Sequence, residues 1–341
     1  MRSRSGLLLA AVGLRLAALR AGVLSLPRRY PLPRGDVLLL DHLNLNHERG
    51  RHDLLRAFYF DVLGLTPDPR KADNLLLGSK GVWANAGITQ FHLPEAERAQ
   101  VFDGVVTLAA RDLSTLTAIR RRCEQPVEAL LQSRFSWREQ GEGLELSDPW
   151  GSRFRIVLDP EAYDERGSQP GDPSPLVLSD LCVHVPGNAS LAGIARFYET
   201  VLRAPALPEE QDSVSVAVSP RQTLTFRRVD RAAGDPHAIL ETNGRGEAVA
   251  NDGPHVSVYV RDLEGCFRRA QELGLLFVNT RFKRQAFSLD DALDQCMFRC
   301  LDIVDPLKPE DGPILRFEHE VRSTVNRDGS PYKSCPLRGV S

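Results

Sequence analysis

The chain has 341 residues, 43 Lys and Arg against 45 Asp and Glu, a formal net charge of −2 and a hydrophobic share of 42%. That length accommodates two domains of ordinary size, and the balanced charge gives no ground for a nucleic-acid or acidic-surface partner. Six cysteines without a CxxC pair exclude a disulfide-stapled scaffold. Cys123, Cys182, Cys266, Cys296, Cys300 and Cys335 read as reduced, mostly buried thiols. A pairing of Cys296 with Cys300 stays open, because the two share a face in a helix and in a strand.

The first 35 residues carry Arg2, Arg4, Arg15, Arg20, Arg28, Arg29 and Arg34, and no acid precedes Asp36. Leucines between them can line one face of an amphipathic helix. This composition predicts a cleaved presequence over 1–35, directing the chain to a mitochondrion or a plastid. Arg15 and Arg20 interrupt the apolar run that a secretory signal or a membrane span needs, so no membrane partner is expected.

Residues 40–46 alternate like a strand, and 54–63 have helical periodicity with a stop at Gly64. Residues 88–93 read as a strand. The run 104–110 reads as another, followed by Asp112, which can cap the next helix. Short strands follow at 144–146 and 154–158. The turn-rich stretch 167–175 reads as a linker. The pattern then returns: a strand at 178–185, a helix at 194–202, a strand at 223–228, a strand at 255–260 with Asp262 as cap, and a strand at 314–319. Each half thus holds two βαβββ units. The fold class predicted is α+β, with curved, mostly antiparallel sheets whose concave side encloses a pocket. Domains are expected at 36–160 and 176–323, joined by a linker at 161–175 and followed by a tail at 324–341.

Several phrases resemble the vicinal-oxygen-chelate superfamily of glyoxalases, bleomycin-resistance proteins and extradiol dioxygenases. They are Asp41-His42-Leu43, Phe58-Tyr59, Val62-Leu63-Gly64, Gln90-Phe91-His92-Leu93-Pro94 and Asp148-Pro149-Trp150-Gly151-Ser152-Arg153-Phe154. The resemblance covers 36 to 323 and implies tandem glyoxalase-like domains. It also implies a divalent metal ion (Zn, Ni, Mn, Co or Fe) on the concave sheet. Donors come from the first and last strands of two units. It does not fix an activity, because the superfamily holds lyases, isomerases, dioxygenases, thiol transferases and drug-binding proteins.

Carried onto this sequence, the ligand positions of the first half fall on His42, His92, Gly104 and Arg155. Those of the second half fall on Asp180, Arg227, His255 and Glu318. Neither set is complete. In some glyoxalases the site is built from units of two different halves. Applied here, His42 and His92 join His255 and Glu318 in one site per chain, and the other combination is dead. The implied function is a metal-dependent lyase or isomerase acting on a small oxygen-rich substrate through a bidentate chelate, with Glu318 as ligand or base. His92 as a fourth ligand leaves few open positions and favours that chemistry over the alternative, an Fe(II) extradiol-type dioxygenase. A second alternative is a metal-free small-molecule binder, with Arg155 and Arg227 receiving an anion. His47 and His52 are expected to be exposed, and His184 and His237 have no recognisable partner spacing. The expected partner is a small molecule, on a monomer with intramolecular domain pairing or on a homodimer.

Overall fold

The computed structural model describes residues 30–78, 80–162, 174–207, 211–230, 253–332 and 335–337. The presequence up to residue 29, His237 and most of the expected linker lie outside the described residues.

The first βαβββ unit comprises β1 (Val37–Asn44), α1 (His52–Leu55) continued by a π-helical turn (Arg56–Val62), β2 (Thr66–Pro67), β3 (Val82–Ala86) and β4 (Thr89–Leu93). The second comprises β5 (Gly104–Ala110), α2 (Leu113–Glu124), β6 (Ser136–Gln140), β7 (Gly143–Ser147) and β8 (Arg153–Leu158). In the third, β9 (Leu176–Pro186) leads to α3 (Leu191–Phe197), a π turn (Tyr198–Leu202), β10 (Ser213–Ser219) and β11 (Gln222–Val229). The fourth holds β12 (His255–Val260), α4 (Leu263–Glu272), β13 (Leu276–Phe277), α5 (Leu289–Gln295), β14 (Met297–Val304) and β15 (Pro313–Ser323). Asp112 and Asp262 cap their helices as the sequence suggested, accepting from the backbone N–H groups of Thr115 and Gly265.

The strands form two large mixed sheets, one in the order β13-β14-β15-β12-β1-β4-β3-β2 and the other β10-β11-β9-β5-β8-β7-β6. The α+β class of tandem βαβββ units is therefore what the chain adopts. The sequence halves are not the sheets, however. The first sheet joins unit one to unit four through antiparallel β1 and β12. The second joins unit two to unit three through antiparallel β5 and β9. Gly104 belongs to that second seam. A Cβ there would stand 1.9 Å from the Cys182 carbonyl oxygen, so only glycine allows this approach.

In units one and three the helix relaxes into a π turn that buries adjacent aromatics, Phe58 with Tyr59 and Phe197 with Tyr198. Gly64 ends the first turn in the left-handed region (φ 73°), a place the third unit gives to Arg203 (φ 49°). One apolar core runs through both sheets and includes Leu43, Phe58, Phe154, Leu181, Phe226 and Phe317. All six cysteines are free, five of them buried.

Between the units of that core, the Tyr198 hydroxyl shares a 2.6 Å hydrogen bond with His319 Nε2. Burial pulls the His319 imidazole down to about 4. The folded state therefore declines a proton that the unfolded state accepts below about 6.5. Stability from this group is complete above that pH and falls as the pH drops towards 4, by about 3 kcal/mol in total. Denaturant titrations from pH 7 to 4 should show the loss. The Tyr198→Phe/His319→Leu double variant should have a slope shallower by about one proton; an unchanged slope would contradict this assignment.

Candidate functional site

The site lies on the concave face of the first sheet, around the β1–β12 seam. A bulge between Leu40 and His42 breaks the alternation of β1. Consecutive residues Asp41 and His42 consequently both line the cavity, while Leu40 and Leu43 stay in the core. Asp41 Oδ2 lies 2.9 Å from His42 Nδ1. A carboxylate there fixes the proton on Nδ1 and leaves Nε2 with its lone pair.

From the other end of the chain come His255 on β12 and Glu320 on β15. Donor atoms of His42, His255 and Glu320 all lie within 4.8 Å of one another, and all three residues are buried. The register brings two of them together, since His42 pairs with Ser257 across the seam and Ser257 pairs with Glu320; His255 lies two residues before Ser257, on the same face of β12. Burial lowers the affinity of His255 for a proton, with the Arg299 charge and His42 adding to it, so the ring is held well below its ordinary value and neutral. Burial works to raise the Glu320 carboxyl, but the charges of Arg322 and Arg299 outweigh it and hold the group well below the usual carboxylate range.

Glu318, expected from the sequence as ligand and base, does not join these three. It pairs with His255 in the strand register, one step short of the His42 row. Its carboxylate accepts from Asn279 Nδ2 at 2.8 Å and from Arg299, away from the cavity lining. Alternation places residues 318 and 320 on one face, and the bonds that Asn279 and Arg299 make to Glu318 separate them.

His92 reaches the same cavity but stands outside the group of three. It stacks on Trp83 with ring centroids 3.9 Å apart, 5.8 Å from the His42 ring. Burial, helped by the neighbouring His42, holds it well below its ordinary value and hence neutral.

The cavity encloses about 330 Å³. Its lining carries six cations, Arg70, Lys71, Lys283, Arg284, Arg299 and Arg322, against three acids, Asp41, Asp68 and Glu320. Arg299 bonds both Glu318 and Glu320 and lies over the Phe282 ring at 4.1 Å. Arg322 bonds Glu320 at 2.5 Å and Asp41 at 2.9 Å. Tyr332, in the segment read from the sequence as a tail, closes one wall and bonds Arg284.

The second sheet brings the remaining positions to nothing similar. Asp180 accepts from Thr223 and Thr225 at 2.5 and 2.7 Å. Arg155 is exposed and pairs with Glu145, Arg227 is exposed, and Gly104 is the seam glycine. His47 and His52, expected to be exposed, are buried. The charged residues around them in sequence concealed that parallel pairing of His47–Glu48 with Glu95–Ala96 covers the loop.

No family model and no curated protein matches the chain. Solved structures do. A candidate dioxygenase from Bacillus subtilis is 12% identical at a TM-score of 0.49, covering 90% of this chain and 92% of that one. Glyoxalase I from Zea mays is 14% identical at a TM-score of 0.45, covering 83% of this chain and 92% of that one.

Proposed function

We propose that this chain is a metal-dependent enzyme acting on a small, anionic, oxygen-rich molecule, with His42, His255 and Glu320 holding one divalent ion. The observation that carries this reading is the convergence of those three donors from distant parts of the chain onto the floor of one cavity. The donor chemistry fits. Imidazole nitrogens and an ionised carboxylate are lone-pair donors, and Asp41 orients the His42 ring.

When bound, the ion supplies Lewis acidity that polarises neighbouring substrate oxygens and stabilises negative charge left by a departing proton. The chain's own residues do the rest. The cationic lining attracts and orients an anion, Arg70 and Lys71 from one wall and Lys283 and Arg284 from another. His92, neutral and outside the group of three, accepts the proton. A bound anion beside it raises its proton affinity into a useful range. Trp83 keeps the ring in place.

Only a fourth ligand at His92 would favour a lyase or isomerase over a dioxygenase, and His92 stands outside the group of three. The group of three instead matches the two-His, one-carboxylate set of non-haem iron(II) oxygenases, with open positions for substrate. This favours dioxygenase-type chemistry within the proposal. A metal-free anion binder is the second reading, supported by one observation: Arg299 and Arg322 already bond Glu320. Elemental analysis of protein purified without chelators decides between them. The expected result is close to one iron, or another divalent ion, per cavity. Binding of an anion, with no metal lost in the His42→Ala variant, would overturn the enzyme reading.

A further inference from the structure

A second set of donors lies outside the cavity, where the loop after β1 meets the chain leaving β4. His47 sits on the short strand His47–Glu48, paired in parallel with Glu95–Ala96, and His52 opens α1. The two rings meet edge to face with centroids 4.5 Å apart. His47 Nδ1 lies 3.1 Å from the Leu93 carbonyl oxygen, and His52 Nε2 lies 2.9 Å from that of Lys80. A carbonyl only accepts, so these nitrogens carry the protons. In that tautomer the lone pairs lie on the opposite nitrogens, His47 Nε2 and His52 Nδ1. Both are buried without a hydrogen-bond partner. Burial, with His52 beside it, brings His47 down to about 4, so it is neutral at physiological pH.

The third member is Glu95. One carboxylate oxygen accepts from the Gly50 N–H at 3.1 Å, and that bond pulls the group below the usual carboxylate range. Donor atoms of His47, His52 and Glu95 all lie within 4.8 Å of one another. Three acceptors thus converge with no donor between them, two of them stripped of water. Such an arrangement is costly unless something positive fills it.

We propose that His47, His52 and Glu95 form a second divalent-cation site, of the zinc type, separate from the cavity. Two imidazole nitrogens and a carboxylate suit zinc, and the backbone carbonyls of Leu93 and Lys80 are the outer-shell acceptors that fix ligand tautomers. Donors held about 2 Å from one tetrahedral ion stand roughly 3.3 Å apart, so donors within 4.8 Å need to close by at most about 1.5 Å on binding. Glu95 is half-exposed, which leaves the ion a path from solvent and a fourth position for water. The ion clips the β1–α1 loop to the exit of β4, beside the cavity's own wall.

Zinc uptake by the metal-stripped full chain, measured by equilibrium dialysis and elemental analysis, tests this. Two zinc ions per chain are expected. His42→Ala should retain one of them, held by the second site. His52→Ala should lose that second-site ion and keep the cavity's, and Glu95→Gln, a change at a half-exposed position, should weaken the second site at least tenfold in protein whose circular dichroism is unchanged. If the cavity takes no metal, the native chain should bind one zinc that His42→Ala leaves in place and His52→Ala or Glu95→Gln removes or weakens. Native affinity and stoichiometry in folded Glu95→Gln, or no zinc in the native chain beyond what His42→Ala abolishes, would overturn the second site.

Discussion

Substituting either His42 or His255 by alanine is expected to weaken divalent-metal binding in the cavity by more than about 100-fold, because each removes a direct donor while even outer-shell changes cost about 10–100-fold. The two residues lie in different sequence halves, yet β1 and β12 are hydrogen-bonded neighbours. Glu320→Gln should behave like the histidine variants. Glu318→Gln should keep the metal, since its carboxylate is engaged by Asn279 and Arg299 outside the group of three. Asp41→Asn, which disturbs the orientation of His42, should cost about 10–100-fold. Arg155→Ala and Arg227→Ala lie on the other sheet and should bind as the native chain does. Calorimetric titration with iron(II) or zinc into metal-stripped protein reads all of these. Loss in Glu318→Gln with retention in Glu320→Gln would reverse the assignment.

The second large effect concerns the halves of the chain. Neither 30–162 nor 174–337 is expected to fold when produced alone, whereas the two together should assemble into one body. Each half contains one unit of each sheet, so separation strips β1 of β12 and β5 of β9 at the centres of both sheets. Four long strands would become open edges with apolar faces uncovered, which favours aggregation over folding. A sizing column should show the mixed halves as a single species, with cooperative unfolding absent from either alone. A half that unfolds cooperatively by itself would contradict the exchange of units.

Much of this organisation was legible in the sequence, for physical reasons that also mark where legibility stopped. Repeated strand–helix phrases gave the four units, because burial imposes its period on each strand and helix. The incomplete donor sets of the two halves pointed to pairing across them, and His42, His92 and His255 do share one cavity. That Glu320, and not Glu318, stands beside His42 and His255 is not legible in the sequence, since alternation puts both acids on one face. The bulge that turns Asp41 and His42 the same way leaves no mark that alternation can detect. The burial of His47 and His52 comes from a two-residue strand pair with residues almost fifty positions later, and hydrophobic periodicity carries no trace of it.

The seam between β1 and β12 also sets an order of events during synthesis. Asp41 and Arg322, bonded in the finished cavity, are 281 residues apart. Contacts that close so long a loop form late and slowly. As the chain emerges from the ribosome, β1 waits with an unpaired edge while both units of the other sheet are made, so that sheet can close first. The floor of the cavity is then sealed by β12 and β15. A chain that stalls before Glu320 has no closed cavity, and its waiting strand is a surface that a chaperone would have to cover.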